Sequence, residues 1–326
     1  MKVRRHSEIM TSGSAVEIER SYEGLMERFC RWAEGRSDIR MAIVVGSRAR
    51  RDHPADEWAD LDIVIVTAEP DQYVSTSDWI NNFGKPLLTF VEPTSTANEK
   101  ERRVLYEKML DVDFAIIPLE KAQQLFQMAG ESVAGSAGAR ADLQGLAQVL
   151  DLLGRGVRVL VDKDGVMSKF GAVAASFEKP PPPVPWKDEF LGVVNDFLYH
   201  AVFTAKHLRR GELWWTAACL DCHMQHLLLR MIEWHALAAH DWKRDVWFRG
   251  RFLEEWAHPE TVKALRDTFA HYEEADVKRA LLATIDLFRR LATETATKLS
   301  YPYPLEADKN VTRWIRACVS GAEQVP

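Results

Sequence analysis

The sequence predicts an α+β fold, in which an N-terminal mixed-sheet domain is followed by a C-terminal helical bundle. Short apolar strands mixed with helices occupy residues 1–162, a proline-rich segment lies in residues 163–187, and helical periodicity runs through residues 188–326. With 326 residues and 47% apolar composition, the chain is long enough for two domains. We therefore predict a sheet domain, a linker and a helical domain with these boundaries.

In the first domain, the spacing of apolar residues predicts a long helix followed by a series of short strands. The helix covers residues 15–34, where apolar side chains recur at three- and four-residue steps. Further strands are predicted at residues 86–92, 104–109, 112–117 and 157–161, and further helices at residues 119–128 and 140–153. Sequential strands mixed with helices in this way are typical of an α+β sheet domain.

A run of prolines separates this domain from the helical one. Residues 179–185 read Lys-Pro-Pro-Pro-Pro-Val-Pro. Because proline has no N–H to donate and prefers extended polyproline II, the segment is predicted to be a stiff connector. Beyond it, helices are predicted at residues 190–208, 213–239, 245–256, 260–272 and 276–299.

Composition excludes several classes of function. The net charge of −6 argues against a nucleic-acid binder with a basic surface, and it is compatible with a small cationic substrate. Residues 1–14 are basic but lack the apolar core of a signal peptide, and no later segment has the length of a membrane span. We therefore expect a cytoplasmic protein without a membrane partner, whose four cysteines are reduced thiols.

One stretch carries the predicted chemistry. An apolar strand ends in Gly46-Ser47-Arg48, and about a dozen residues later Asp60 and Asp62 open a second apolar strand. Alternation places both carboxylates on one face, where they repel each other unless a cation lies between them. Hard oxygen ligands suit Mg²⁺. The turn's N–H groups, serine hydroxyl and guanidinium suit a phosphate chain, so the stretch predicts a metal and nucleotide site.

This arrangement resembles the nucleotidyltransferase superfamily that includes DNA polymerase β. Its signature is an apolar strand, Gly-Ser, about a dozen residues, and then Asp-apolar-Asp-apolar. A narrower resemblance, to the streptomycin-modifying aminoglycoside 6-adenylyltransferases, lies in Gly46-Ser47-Arg48, residues 56–63, Trp79 with Phe83-Gly84, and residues 113–120. It continues more weakly through residues 162–165 and the C-terminal helices. Arg50 departs from it, because the family usually has Asn there.

The resemblance implies a site. It makes residues 1–162 a nucleotidyltransferase domain, with ATP as co-substrate and Mg²⁺ held by Asp60, Asp62 and Asp113. Superfamily members place their third carboxylate beside the first two, where it either ligates metal or accepts the proton of the attacking hydroxyl. Lys206 resembles a family lysine that contacts the triphosphate from the second domain. The implied nucleotide-binding residues are Gly46, Ser47, Arg48 and Lys206.

The resemblance also implies a function. It is Mg-dependent transfer of AMP from ATP to a hydroxyl of an aminoglycoside, most simply streptomycin, with release of pyrophosphate and resistance to the antibiotic. Candidate contacts for the cationic acceptor in the helical acceptor-binding domain are Asp196, Glu212, Asp221 and Glu233. Transfer to a lincosamide, transfer to a protein hydroxyl and a non-catalytic ligand-sensing role remain alternatives. A monomer and a homodimer are both compatible with the sequence.

A second motif has a simpler interpretation. Residues 219–223 read Cys-Leu-Asp-Cys-His, the haem-attachment pattern, and His226 adds a possible zinc spacing. The segment lies inside an apolar helical run, and its thiols and imidazoles share one helix face. We therefore interpret these residues as packing groups in a helix interface and predict neither haem nor metal there.

Overall fold

The chain folds into two compact units, Met1–Pro180 and Pro181–Pro326. The computed structural model describes residues 12–94, 99–133, 149–167 and 181–320. The predicted linker, residues 163–187, includes residues 168–180, which lie outside the described residues. Among the described helices, none is long and apolar enough to cross a membrane.

The first unit is built on a six-stranded sheet with the order β3-β4-β5-β2-β1-β6. Its strands are β1 (Ile39–Val45), β2 (Leu61–Thr67), β3 (Pro86–Pro93), β4 (Lys100–Tyr106), β5 (Leu110–Pro118) and β6 (Arg158–Asp162). Strands β2 and β5 are parallel, and every other neighbouring pair is antiparallel. The sheet is therefore mixed, as predicted.

Strand β1, an interior strand of this sheet, is buried on both faces, because its successive residues point into different apolar clusters. Ala42 and Val44 belong to one cluster, and Met41, Ile43 and Val45 belong to the other. The helices of the unit are α1 (Ser12–Glu34), α2 (Pro70–Ser75) and α3 (Leu119–Val133), and residues 149–155 are also helical. Burial on both faces explains why the central strands read as nearly continuous apolar runs.

Helix α1 covers one face through an aromatic contact. The ring of Phe29 lies 5.2 Å from that of Phe83 and 5.9 Å from that of Phe114 on β5, measured between centroids. Aromatic pairs at this separation contribute about 0.5–1.5 kcal/mol beyond their buried area. The apolar residues whose spacing predicts α1 thus form the stripe of the helix that packs against the sheet.

The second unit is helical. Its helices are α4 (Lys187–Arg209), α5 (Leu213–Ala218), α6 (Gln225–Ala239), α7 (Leu253–Trp256), α8 (Pro259–Leu265), α9 (Glu274–Leu299) and α10 (Leu305–Ser320). A π-helical turn, Cys219–Met224, joins α5 to α6 without a break. In the core, the rings of Phe197 and Phe288 stack with centroids 3.7 Å apart. Together the two units make an α+β protein, which confirms the predicted fold class.

Three predicted elements are wrong in detail. The strand predicted at 104–109 is β4, Lys100–Tyr106, which ends at a turn where Lys108 and Met109 have positive φ angles. The helix predicted at 245–256 is largely irregular, because left-handed residues around Gly250 interrupt it and leave only the short α7. Helix α8 ends at Leu265, before the predicted end at residue 272.

Candidate metal and nucleotide site

Parallel pairing of β2 with β5 brings the three predicted carboxylates together. Asp62 lies opposite Asp113 in the register of the two strands, and Asp60 directly precedes the first residue of β2. Each of the three offers a carboxylate oxygen, and these oxygens lie within 4.8 Å of one another. Neighbouring strands are about 4.8 Å apart, so residues in register present their side chains side by side. The structure therefore brings together the two acids of the motif and the third that the family resemblance implies.

Asp113 is the buried member of this set, with 6% of its surface exposed. Its Oδ2 lies 3.3 Å from Nη1 of Arg103, while its Oδ1 has no hydrogen-bond partner among the described residues. Burial raises the pKa of Asp113 to about 7, Arg103 opposes that rise, and Asp111, Glu101 and Asp60 add to it. A buried, unpaired carboxylate oxygen beside two further acids is a fitting place for a hard cation.

The raised pKa predicts how stability depends on pH. Between about pH 4 and pH 7, native Asp113 holds a proton that the unfolded chain releases, so the free energy of unfolding of the metal-free protein falls as pH rises. Asp113→Asn removes this loss and should stabilise the metal-free protein at pH 8 by roughly 2–4 kcal/mol. Urea denaturation of both proteins at pH 5 and pH 8 measures the free energy of unfolding. If that free energy depended on pH equally in the native and variant proteins, the raised pKa would not belong to Asp113.

Gly46 allows the turn after β1 to lie against Asp62. Its φ angle is +69°, and a Cβ built at this position would lie 2.0 Å from Oδ2 of Asp62. No side chain fits there unless the carboxylate moves. The next residue, Ser47, is buried, and its Oγ has no hydrogen-bond partner in the part of the chain that the structure describes. The turn therefore offers an unused hydroxyl beside a glycine in direct contact with the acids.

Arg48 holds the segment that carries Asp60. Its Nε donates to the backbone oxygen of Asp60 at 3.0 Å, and its Nη2 donates to that of Ala59 at 2.8 Å. Its third contact is an ion pair of 2.8 Å to Glu19, and its guanidinium lies 3.6 Å from the ring centroid of Tyr22. Only 4% of the side chain is exposed. These contacts favour a positioning role for Arg48, and its contact with phosphate stays a prediction.

Arg48→Lys tests this positioning role. An ammonium group cannot reproduce the planar fork that holds two backbone oxygens, so Asp60 should lose its fixed place. We expect kcat to fall by about 10–100-fold and more Mg²⁺ to be needed for half-maximal rate, with an unchanged KM for ATP. Steady-state kinetics at varied Mg²⁺ and varied ATP separate the two effects.

Glu19→Gln is the matched control for Arg48. It removes only the ion pair with Arg48, and the Glu19 side chain is 56% exposed. The glutamine oxygen can still accept a hydrogen bond from Nη1 of Arg48, and the two bonds of Arg48 to backbone oxygens are kept, so this variant should keep nearly full activity. If Arg48→Lys instead raised the KM for ATP and left the Mg²⁺ dependence unchanged, a phosphate contact would be the better assignment.

Sequence reasoning missed the residues that support the site. Arg103 reaches Asp113 because β4 places the two opposite each other, and only the strand pairing reveals this. Tyr22 lies in the apolar stripe of α1, yet its hydroxyl accepts a hydrogen bond of 3.1 Å from the backbone N–H of Asp111. A tyrosine within an apolar stripe is a weak signal of such a polar contact.

The second unit carries the other predicted site residues, and two of its acids are paired. Asp196 on α4 lies 2.6 Å from Nδ1 of His200 and 3.0 Å from Nε2 of His223. Glu212 accepts a hydrogen bond of 2.7 Å from Nε of Arg210 and also pairs with His207. These two carboxylates therefore already have cationic or imidazole partners.

The remaining predicted residues of this unit are Lys206, Asp221 and Glu233. Lys206 is exposed, with Nζ 5.6 Å from the ring centroid of Trp314. Asp221 lies on the π-helical turn and Glu233 on α6, and burial raises the pKa of both carboxyls. At 1.5 Å per residue, about 18 Å of continuous helix separates these two acids. The four predicted acceptor contacts therefore do not form one cluster.

Comparison with known proteins supports the motif-based resemblance. The family model described as streptomycin adenylyltransferase matches residues 19–318. The aminoglycoside 6-adenylyltransferase of Bacillus subtilis (strain 168) is 23% identical over 301 residues, which cover 90% of this chain and 96% of that relative. The enzyme of the same name from Campylobacter jejuni is 24% identical over 285 residues, which cover 83% and 86% of the two chains.

A solved structure also matches. The crystal structure of an aminoglycoside 6-adenyltransferase from Bacillus subtilis covers 90% of this chain, with 97% of its own chain covered, at 18% sequence identity and a TM-score of 0.41. The family model spans nearly the whole sequence and includes all three clustered carboxylates. The predicted resemblance is thereby confirmed. The chain belongs to the streptomycin adenylyltransferase family and is a nucleotidyltransferase.

Proposed function

We propose that this protein transfers AMP from ATP to a hydroxyl group of an aminoglycoside and releases pyrophosphate. The observation that carries the proposal is the convergence of Asp60, Asp62 and Asp113 within 4.8 Å of one another. Gly46 places the Gly-Ser turn directly against one of these acids. Membership of an adenylyltransferase family supports the same reaction. Because ATP is the donor, we place the reaction in the cytoplasm.

The carboxylate set fits Mg²⁺. Its donors are all hard oxygens, and the buried Oδ1 of Asp113 has no hydrogen-bond partner among the described residues. When bound by Asp60, Asp62 and Asp113, Mg²⁺ would orient the phosphates and the acceptor hydroxyl and offset the negative charge of the leaving group. We propose these three residues as its ligands.

The chain's own residues then act mainly by alignment. Backbone N–H groups of the turn that begins at Gly46 and the hydroxyl of Ser47 bind phosphate oxygens, and Lys206 remains a proposed further phosphate contact. The acceptor oxygen forms a bond to the α-phosphorus as the bond to the bridging oxygen breaks, and pyrophosphate leaves with that electron pair. The hydroxyl proton passes to a carboxylate. Asp113 must be ionised whether it serves as a ligand or accepts this proton.

We propose streptomycin as the acceptor. It is polycationic, and its guanidinium groups suit bidentate pairing with a carboxylate such as Asp221 or Glu233, whereas Asp196 and Glu212 are already paired within the helical unit. The backbone N–H of Ala270, in the loop before α9, lies close enough to Asp221 to lower the pKa of its carboxyl, against the larger rise that burial causes. In the same loop, the exposed ring of Tyr272 lies 6.2 Å from that of exposed Trp214. Exposed aromatic faces beside an acid favour a cationic ligand.

A product scan tests the proposed function. The purified protein is incubated with ATP, Mg²⁺ and, separately, streptomycin, other aminoglycosides and a lincosamide, and the product masses are read. We expect AMP on streptomycin and none on the lincosamide, and the Asp62→Asn protein provides the inactive control. AMP on another acceptor with streptomycin unchanged would contradict the substrate assignment. Absence of transfer to every acceptor would contradict the reaction itself.

A further inference from the structure

We propose that Asp196, His200 and His223 form a second metal site, which binds a divalent transition ion such as Zn²⁺. All three residues belong to the helical unit. One ligand atom from each lies within 4.8 Å of the other two. The inference concerns binding alone, so it does not depend on the proposed function.

The three side chains converge on one point from two helical segments. Asp196 and His200 are one turn apart on the same face of α4, and His223 comes from the π-helical turn. Nδ1 of His200 lies 2.6 Å and Nε2 of His223 lies 3.0 Å from the same oxygen, Oδ1 of Asp196. The two imidazole rings are 4.1 Å apart between centroids. Both rings thus direct a nitrogen at a single carboxylate oxygen.

These separations are close to those that a tetrahedral ion needs. Zinc holds nitrogen and oxygen ligands at about 2.0–2.1 Å, which places neighbouring ligand atoms about 3.3 Å apart. The carboxylate oxygen and the ring nitrogens are already 2.6 and 3.0 Å apart, so small side-chain rotations suffice to admit the ion. Imidazole nitrogen selects zinc, cobalt or nickel over magnesium, which distinguishes this set from the three carboxylates of the first unit.

The π-helical turn is a second observation that points to a ligand. Cys219–Met224 is the only π-helical segment within the part of the chain that the structure describes. Such turns are rare and occur frequently at functional sites. Here the wider turn changes the direction in which His223 leaves the helix, relative to a continuous α-helix. The sequence interpretation, a packing face shared with Cys219 and His226, assumed that continuous helix.

Exposure and thiol chemistry define the kind of site. The side chains of Asp196, His200 and His223 are 39%, 29% and 42% exposed, so water can complete the coordination as it does in open zinc sites. Among the described residues, the ligand atoms that converge here include no cysteine Sγ, and burial raises the pKa of the nearby Cys219 thiol. The structure therefore favours a set of two imidazoles and one carboxylate without sulfur.

Cobalt absorption and zinc calorimetry on the full-length chain test this site. Excess Mg²⁺ is present in both, because it competes for carboxylate oxygens but only poorly for imidazole nitrogens. We expect one Co²⁺ per chain, with visible d–d bands but no sulfur-to-cobalt charge-transfer band. His200→Ala and His223→Ala should each weaken Zn²⁺ binding at least about 100-fold, because loss of a supporting group alone already costs 10–100-fold.

His226→Ala is the matched control, since His226 is an exposed histidine on the same helical segment outside the proposed ligand set. This variant should leave both the Co²⁺ absorption bands and the heat of Zn²⁺ binding unchanged. The inference is overturned if the native chain binds neither Co²⁺ nor Zn²⁺, if binding survives in both His200→Ala and His223→Ala, or if Cys222→Ser abolishes it. The native chain alone can contradict the inference, so the test does not depend on every variant folding. If His223→Ala fails to fold, His223→Gln provides a more conservative replacement.

Discussion

Asp62→Asn should slow adenylyl transfer at least about 10³-fold, which corresponds to a loss of about 4 kcal/mol of transition-state stabilisation. Asp62 lies opposite Asp113 across the parallel strand pair and is in direct contact with the Gly46 turn. The amide keeps the shape of the side chain, so the fold should remain intact. It removes the ligand charge, so Mg²⁺ should bind more weakly.

The rate is measured at saturating Mg²⁺, with circular dichroism to confirm folding. Asp111→Asn is the matched control, because Asp111 lies on the same strand as Asp113 but outside the set of three. Loss of the same charge at Asp111 should lower the rate of transfer by less than about tenfold. Near-normal turnover of Asp62→Asn would remove the basis of the metal assignment.

Gly46→Ala should be nearly as damaging, although it changes no charged or reactive group. The new methyl group would lie 2.0 Å from Oδ2 of Asp62, so either the turn or the carboxylate must move. A φ angle of +69° adds about 1–2 kcal/mol of backbone strain for any residue other than glycine. We expect at least about a 100-fold loss of kcat and weaker Mg²⁺ dependence of thermal stability.

Gly165→Ala separates backbone strain from displacement of Asp62. Gly165 has a φ angle of +65°, and a Cβ built there meets nothing within 4 Å. This variant should therefore lose similar stability while keeping its activity. Equal activity losses in the two glycine variants would show that strain, and not the contact with Asp62, explains the effect.

The sequence predicted the chemical groups of the site better than their arrangement. Alternation along a strand relates Asp60 to Asp62, and the family resemblance implied Asp113. Neither reveals which strands are neighbours, so the contact between Arg103 and Asp113 could not be predicted. A guanidinium after Gly-Ser suits an anion, so the sequence predicts a phosphate contact for Arg48. In the structure its donors meet backbone oxygens, which sequence patterns do not display.

In the helical unit, the spacing of apolar residues located some helices correctly but not others. Apolar spacing identifies α4 and α9, whose stripes face the core, but it extends through residues 245–256, where left-handed residues end regular structure. Helix α10 was missed because charged and polar residues fill much of its length. A π-helical turn has no composition of its own, so the approach of His223 to Asp196 was also hidden.

The strand order also bears on how the protein acquires its site during synthesis. Strands β2 and β5 are neighbours in the sheet, yet β3 and β4 separate them along the chain. Pairing across such a separation requires costly loop closure and is typically slow. A nascent chain that ends before β5 carries Asp60 and Asp62 without Asp113. If the three carboxylates hold Mg²⁺ as proposed, the complete ligand set forms only in a late folding step, when the ribosome has released β5 and the parallel pair can close.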